Sequence, residues 1–157
     1  MVDTLDSKLV LPPRASGRII SPRRDVVILA DDIKDIRDSY IEAINMLLGE
    51  LGLRIVTAGD KVEAIAGIHA HLDDGALVMT DMRMPKDPDD GNEVAKAALD
   101  NGFQVVVVSG TEKDVDATIR ARCLAVRCKP MGIDDLCNLV RRAIELSNPA
   151  VGNGTIQ

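Results

Sequence analysis

Four places in this 157-residue chain put a chemically active side chain at the end of a short, mostly apolar segment: Asp31-Asp32, Asp81, Ser109-Gly110 and Lys129-Pro130. Three carboxylates, one hydroxyl and one ammonium share a chemistry if the fold brings them together. Carboxylates gathered without a counter-charge repel and raise one another's pKa values. A hard divalent cation resolves that conflict, because Mg²⁺ (or Mn²⁺) prefers carboxylate oxygens, keeps several waters and is commonly shared with phosphate. Beside such an ion an ionised Asp81 is a carboxylate nucleophile, able to form an acyl phosphate. The metal and Lys129 would then neutralise the oxygens of the transferred group. Ser109 would donate to one of those oxygens, and Gly110 would leave the approach open.

The elements that must position these residues follow from periodicity. Val26–Ala30 is β-branched and apolar, as a buried strand requires, and a helix follows with Ile36, Tyr40, Ile44, Leu47 and Leu51 at three- and four-residue steps, closed by Gly52. Arg54–Ala58 is a second strand, and Val62, Ile65, Ala66, Ile68 and Leu72 mark a second helix, closed by Gly75. Ala76–Thr80 is a third strand. Val94, Ala95, Ala98 and Leu99 mark a third helix with Gly102 behind it, and Val105–Val108 is a fourth strand. A weaker helix runs through Val115, Ile119 and Cys123, expected over 114–122. A short strand at Ala125–Cys128 and a helix burying Leu136, Leu139, Val140, Ala143 and Ile144 complete the series.

Five strand-then-helix units with apolar strands require a doubly wound α/β fold, a five-stranded parallel sheet with helices on both faces. Ligands of such sheets lie beyond the carboxyl ends of the strands. Asp31, Asp32, Asp81, Ser109 and Lys129 are all placed there.

On these pieces the chain resembles the receiver domain of two-component response regulators. The matching segments are Val-Val-Ile-Leu-Ala-Asp31-Asp32, Met-Thr-Asp81-Met-Arg-Met84-Pro85, Asp90-Gly91, Val-Val-Ser109-Gly110 and Lys129-Pro130, in that order over residues 25–147. The resemblance implies the strand order 2-1-3-4-5. It makes Asp81 the phosphoacceptor, with Asp31, Asp32, Asp81 and the Arg83 backbone carbonyl as ligands of Mg²⁺. Ser109 and Lys129 take the switch and charge-pairing roles. Arg83 and Thr111 fall at the two positions that tune phosphoryl lifetime, and the Lys129-Pro130 peptide is expected to be cis. The implied partners are a histidine kinase or histidine phosphotransfer protein and a downstream protein target.

Two departures stand out. Lys86-Asp87-Pro88-Asp89 makes the loop before Asp90-Gly91 two residues longer than is usual in the family, and Val126 occupies a normally aromatic position. A small β-branched side chain cannot follow the serine as an aromatic does. The conformational response is therefore expected in the loop after Ser109 and the fourth helix.

Composition narrows the alternatives. A net charge of −6 disfavours nucleic acid and anionic membranes as partners. Only Tyr40 and Phe103 are aromatic, so base stacking is not the business of this surface. No apolar run of about 18 residues exists to span a bilayer, and no secretory signal opens the chain. Cys123, Cys128 and Cys137 are odd in number and lack Cys-x-x-Cys spacing, so zinc is not expected and free thiols in a reducing, cytoplasmic location are. Residues 1–24 and 148–157 are expected to be flexible arms outside the domain. The expectation is thus a stand-alone signalling receiver, not an enzyme beyond its own phosphorylation and dephosphorylation, which signals by protein binding or drains phosphate from a pathway.

Singly, each acid reads as a helix cap or loop residue. An unphosphorylated receiver-like binding module is the first alternative, although acceptor, acid pair and lysine are all present. A Mg²⁺-dependent phosphohydrolase is the second, but Asp81-Met82-Arg83 lacks the Asp-x-Asp pattern of such nucleophiles. A calcium loop on Asp87–Gly91 fails, because placing Gly91 sixth puts Lys86 first and Ala97 twelfth. His69 and His71 stand about 200° apart around a helix and cannot chelate one ion.

Overall fold

A computed structural model describes residues 23–84, 87 and 89–149 of the chain. Apart from Arg23, Arg24, Asn148 and Pro149, the expected arms lie outside the described residues. Strands β1 (Val26–Ala30), β2 (Arg54–Ala58), β3 (Gly75–Asp81), β4 (Gln104–Ser109) and β5 (Ala125–Cys128) form one parallel sheet in the order β2-β1-β3-β4-β5. Helices α1 (Lys34–Leu48), α2 (Lys61–Ala70), α3 (Asp90–Asp100), α4 (Ala117–Arg122) and α5 (Ile133–Ser147) connect them. The doubly wound architecture and its strand order are those expected.

The two-residue period of a strand sorts the core into two layers. Val26, Ile28 and Ala30, with Val78, Val105 and Val107, face α2, α3 and α4, where Ala64, Ile68, Val94, Ala95, Ala98 and Ile119 meet them. Val27 and Leu29, with Leu77, Met79, Val106 and Val108, face α1 and α5, where Ala43, Ile44, Leu48, Leu136, Val140 and Ile144 meet them. Fully burying each large aliphatic side chain stabilises the fold by about 1.5–3 kcal/mol. The same alternation aims functional residues. Asp81 continues the row Leu77, Met79 on the α1/α5 side, whereas Ser109 continues the row Val105, Val107 on the α3/α4 side.

Several expectations about the helices are corrected. In α1 the buried face is Ala43, Ile44 and Leu48; Leu47 is 44 % exposed, because the helix settles one residue further round on β1. The α-helix stops at Leu48, and a 3₁₀ turn (Gly49–Leu51) carries the chain to Gly52, which closes it at φ 63°. In α2, Ala64 and Ile68 face the sheet while Val62 and Leu72 are exposed. Asp60 sets that register by capping the Glu63 N–H at 2.8 Å. Gly75 opens β3 rather than closing α2, and the Phe103 ring occupies the place where a Cβ would sit. The fourth helix is shorter than expected. A 3₁₀ turn (Glu112–Asp114) comes first, then Val115 and Asp116 are extended, and α4 begins only at Ala117. The extended break lets Val115 reach the core.

Among the described residues no helix is long and apolar enough to cross a membrane.

Candidate functional site

The loop after β1 begins with Asp31, whose Oδ1 accepts the Ile33 N–H at 2.9 Å. That local turn fixes the carboxylate, and Arg37, one turn into α1, donates to the Asp31 carbonyl. The other oxygen, Oδ2, is 3.2 Å from Lys129 Nζ, and Asp81 Oδ2 lies 3.1 Å from the same nitrogen. The Lys129 N–H donates to the Ser109 carbonyl at 3.0 Å, extending the β4–β5 ladder, and the Lys129-Pro130 bond is cis as expected. Asp31, Asp32 and Asp81 offer carboxylate oxygens that all lie within 4.8 Å of one another. The structure therefore unites four residues expected to meet: Asp31, Asp32, Asp81 and Lys129.

Asp31 and Asp81 are buried, Asp32 is exposed, and Lys129 is half-buried between them. Burial pushes the Asp81 carboxyl above its ordinary range, and the hydrogen bond and charge of Lys129 offset this only in part. Burial would lower the Lys129 ammonium, but the bond and charge of Asp81, and then Asp31, hold it above its usual value. Tyr40 of α1 lines a small cavity with Asp31, Thr80 and Asp81. Its phenol is raised, first by burial and then by the Asp31 charge.

Three carboxylates against one ammonium leave a local charge of −2. That matches a divalent cation. Oxygens around Mg²⁺ stand about 3 Å apart when adjacent and about 4 Å when opposed, so the observed cluster needs only a slight contraction to hold one. Asp32 contributes no buried packing, which makes it the cleanest probe. Asp32→Ala is expected to leave the fold intact and to weaken Mg²⁺ binding about tenfold or more, at least the loss seen when outer-shell partners of metal ligands are removed. Calorimetry or Mn²⁺ relaxation measures this in a chain without tryptophan; unchanged affinity would dismiss the three-acid site.

The remaining expected residues stand at the rim. Ser109 is buried with its hydroxyl turned to the loop, donating to the Thr111 carbonyl at 2.9 Å and accepting the Thr111 N–H at 3.0 Å. Arg83 is exposed, and its N–H is 3.5 Å from Asp81 Oδ1. Its guanidinium does not approach the acids but pairs with Asp114 at 3.3 Å. Val126, beside Val107, packs on the α3/α4 layer. In the lengthened loop, Met84 and Asp87 form an antiparallel bridge, and Asp87 Oδ1 accepts the Asp89 N–H. Pro85, Lys86 and Pro88 lie outside the described residues.

Two neighbours were not singled out by their chemistry. Gly91 lies against the Asp81–Met82 backbone, its N–H bonded to the Met82 carbonyl at 3.0 Å. Asn92, the next residue, is buried and bonded to the β4–α4 link. Its place three residues before Ala95 put a polar group on the core face of α3, and that was the available signal.

Neither a protein-family model nor a curated protein matches the sequence. Solved structures do match. The signal receiver domain of a Luxo repressor protein from Vibrio parahaemolyticus superposes with a TM-score of 0.67 at 18% identity, over 81% of this chain and 95% of that one. A CheY-like response regulator receiver domain from Methanospirillum hungatei gives 0.64 at 20% identity, over 81% and 98%. The response regulator protein TrrA from Thermotoga maritima, solved in complex with Mg²⁺ and BeF, gives 0.59 at 21% identity, over 76% and 98%. From Asp25 to Ser147, this chain has the fold of the response-regulator receiver domain.

Proposed function

We propose that the chain is a phosphoacceptor of a two-component phosphorelay, taking a phosphoryl group onto Asp81 from a phosphohistidine of a histidine kinase or phosphotransfer protein. The observation that carries this reading is the position of Lys129 Nζ, within 3.2 Å of both Asp31 and Asp81 beside a third carboxylate. A structural salt bridge needs one acid. Three acids with a net charge of −2 are an arrangement for a cation and a transferred anion.

Asp31, Asp32, Asp81 and the Arg83 carbonyl would hold Mg²⁺ (or Mn²⁺). When bound, the ion removes the excess negative charge that would repel an incoming phosphoryl group. An Asp81 carboxylate oxygen attacks phosphorus and forms a carboxyl–phosphate bond, while the nitrogen–phosphorus bond of the donor breaks and its electron pair returns to the imidazole. Lys129 already touches Asp81 and is held protonated by the acids, so it can follow the new negative charge without being recruited. Ser109 can donate to a phosphoryl oxygen only by releasing the Thr111 carbonyl, and this ties the chemistry to the β4–α4 link.

The chain catalyses only its own phosphorylation and dephosphorylation in this reading. Output is phosphorylation-dependent protein binding, or drainage of phosphate from a pathway. A donor charged from ATP places the exchange in the cytoplasm, and the acidic balance makes proteins, not nucleic acid or membrane, the partners.

Treatment with acetyl phosphate tests the reading. Intact mass should show one added phosphoryl group when Mg²⁺ is present and none when the metal is chelated. Absence of uptake in both conditions would end the proposal, and turnover of an unrelated phosphoester would favour a phosphohydrolase.

A further inference from the structure

Asn92 is a buried polar residue that the acid cluster does not use. It stands in the first turn of α3, immediately after the glycine whose N–H bonds to the Met82 carbonyl behind the acceptor. Both ends of its carboxamide are occupied. Nδ2 donates to the Asp114 carbonyl at 3.2 Å, and Oδ1 accepts the Asp116 N–H at 3.1 Å. These partners belong to the link between β4 and α4, the segment that begins where Thr111 holds the Ser109 hydroxyl. Arg83, two residues beyond Asp81, ties the same link through Asp114. That pair is exposed, and exposed pairs hold little. The Asn92 bonds are sheltered and span two residues of backbone, so they fix both the position and the course of the link.

We propose that Asn92 is a positioning residue that latches the β4–α4 link in its unphosphorylated place and thereby opposes phosphorylation of Asp81. The inference rests on the phosphoacceptor reading. For Ser109 to donate to a phosphoryl oxygen, its one hydroxyl proton must leave the Thr111 carbonyl, while the Thr111 N–H, bonded to the same oxygen, is drawn along as the hydroxyl turns. Asp114 and Asp116 follow within five residues, so a displaced Thr111 pulls on the segment the carboxamide grips. A contact made in only one of two states biases the equilibrium toward that state, and any ligand of the other state binds more weakly by the same factor. Asn92 therefore lowers affinity for a phosphoryl group at Asp81. A residue that merely supports the fold would lower stability on removal and leave that affinity alone.

The test uses the full chain and its Asn92→Ala and Asn92→Asp variants, with beryllofluoride plus Mg²⁺ as the phosphoryl mimic. Affinity for the mimic is measured by calorimetry, and hydrogen exchange over residues 110–116 is followed without it. Asn92→Ala should bind the mimic about fivefold tighter or more, the lower end of typical coupling between linked sites. Its link should exchange faster than that of the unliganded wild type. Asn92→Asp keeps an acceptor for the Asp116 N–H but has no donor for the Asp114 carbonyl, so its affinity should lie between the two. It also decides the question if the alanine variant does not fold. Equal or weaker binding by the variants, with the wild type binding normally, overturns the latch. Failure of the wild type to bind the mimic with Mg²⁺ overturns the phosphoacceptor reading itself, and the latch falls with it.

Discussion

Replacing Asp81 with asparagine is expected to abolish phosphoryl uptake completely and to leave the folded chain at least as stable as the wild type near neutral pH. The first effect follows from chemistry, because a neutral carboxamide does not attack phosphorus to give an acyl phosphate. The second follows from where Asp81 sits. Burial raises its carboxyl above the ordinary range in spite of Lys129, so the ionised form is less favourable folded than unfolded. With the folded pKa above the unfolded one, the folded state holds more protons in that window, and stability falls as pH rises through it. The whole of this cost is present once the pH is above the folded pKa. The amide removes it, and Lys129 is not orphaned because Asp31 remains 3.2 Å away. The long 3.5 Å contact from the Arg83 N–H represents little loss. Any gain in melting temperature should shrink as pH falls through the carboxylate range and vanish below it, where the wild-type Asp81 is protonated in both states. Intact mass with Mg²⁺ present, and thermal unfolding at several pH values with the metal chelated, check both halves. Phosphoryl uptake by Asp81→Asn would move the acceptor elsewhere. A melting point several degrees below wild type at pH 7 would refute the electrostatic assignment.

The residues on which that prediction rests were readable in the sequence for a physical reason. β1, β3 and β4 are buried on both faces, so they appear as largely apolar runs, and the charged or hydroxyl residue just past each strand's apolar part marks the rim of the sheet. Asp31-Asp32, Asp81 and Ser109 are such residues. Lys129 ends the shorter β5, which lies at the edge and is only partly buried. Helix faces were harder to read. Leu47 and Leu48 are equally apolar, and only the angle at which α1 meets the sheet decides which is buried. Val62 is apolar by type yet exposed, because the small residues Ala64 and Gly67 let α2 approach Ile28 and Val56 on another face.

Loop geometry was least legible. Val115 and Ile119 are both buried, but their four-residue spacing suits a continuous helix, whereas the chain breaks between them where Asp116 bonds to Asn92. Asp116 gives its N–H to Asn92, twenty-four residues earlier in the chain, a pairing no local pattern announces. The fate of Ser109 shows the same limit: the sequence places its hydroxyl at the rim of the sheet, but not that the hydroxyl is spent on the backbone of Thr111.

Replacing Gly91 with alanine is expected to destabilise the chain by about 3 kcal/mol, at the severe end for overpacking, and to disturb the loop after Asp81 in whatever fraction still folds. A Cβ at this position would stand 2.4 Å from the Asp81 carbonyl oxygen, 2.4 Å from Met82 Cα and 2.9 Å from the Met82 carbonyl oxygen. All three are backbone atoms, so no flexible side chain can swing aside to make room. Relief requires α3 to retreat from β3. That retreat stretches the bond from the Gly91 N–H to the Met82 carbonyl and opens the layer in which Val94, Ala95 and Ala98 meet the sheet. Alanine is the better helix former by up to about 1 kcal/mol, which offsets only part of the clash. For a domain of this size the net loss corresponds to a fall of roughly 10 °C in melting temperature. Gly110→Ala is the control: nothing lies within 4 Å of its would-be Cβ, and the same chemical change there should leave the melting point unchanged. Thermal unfolding of the two variants beside wild type decides the matter. A Gly91→Ala chain as stable as Gly110→Ala would mean that α3 does not rest on the Asp81–Met82 backbone.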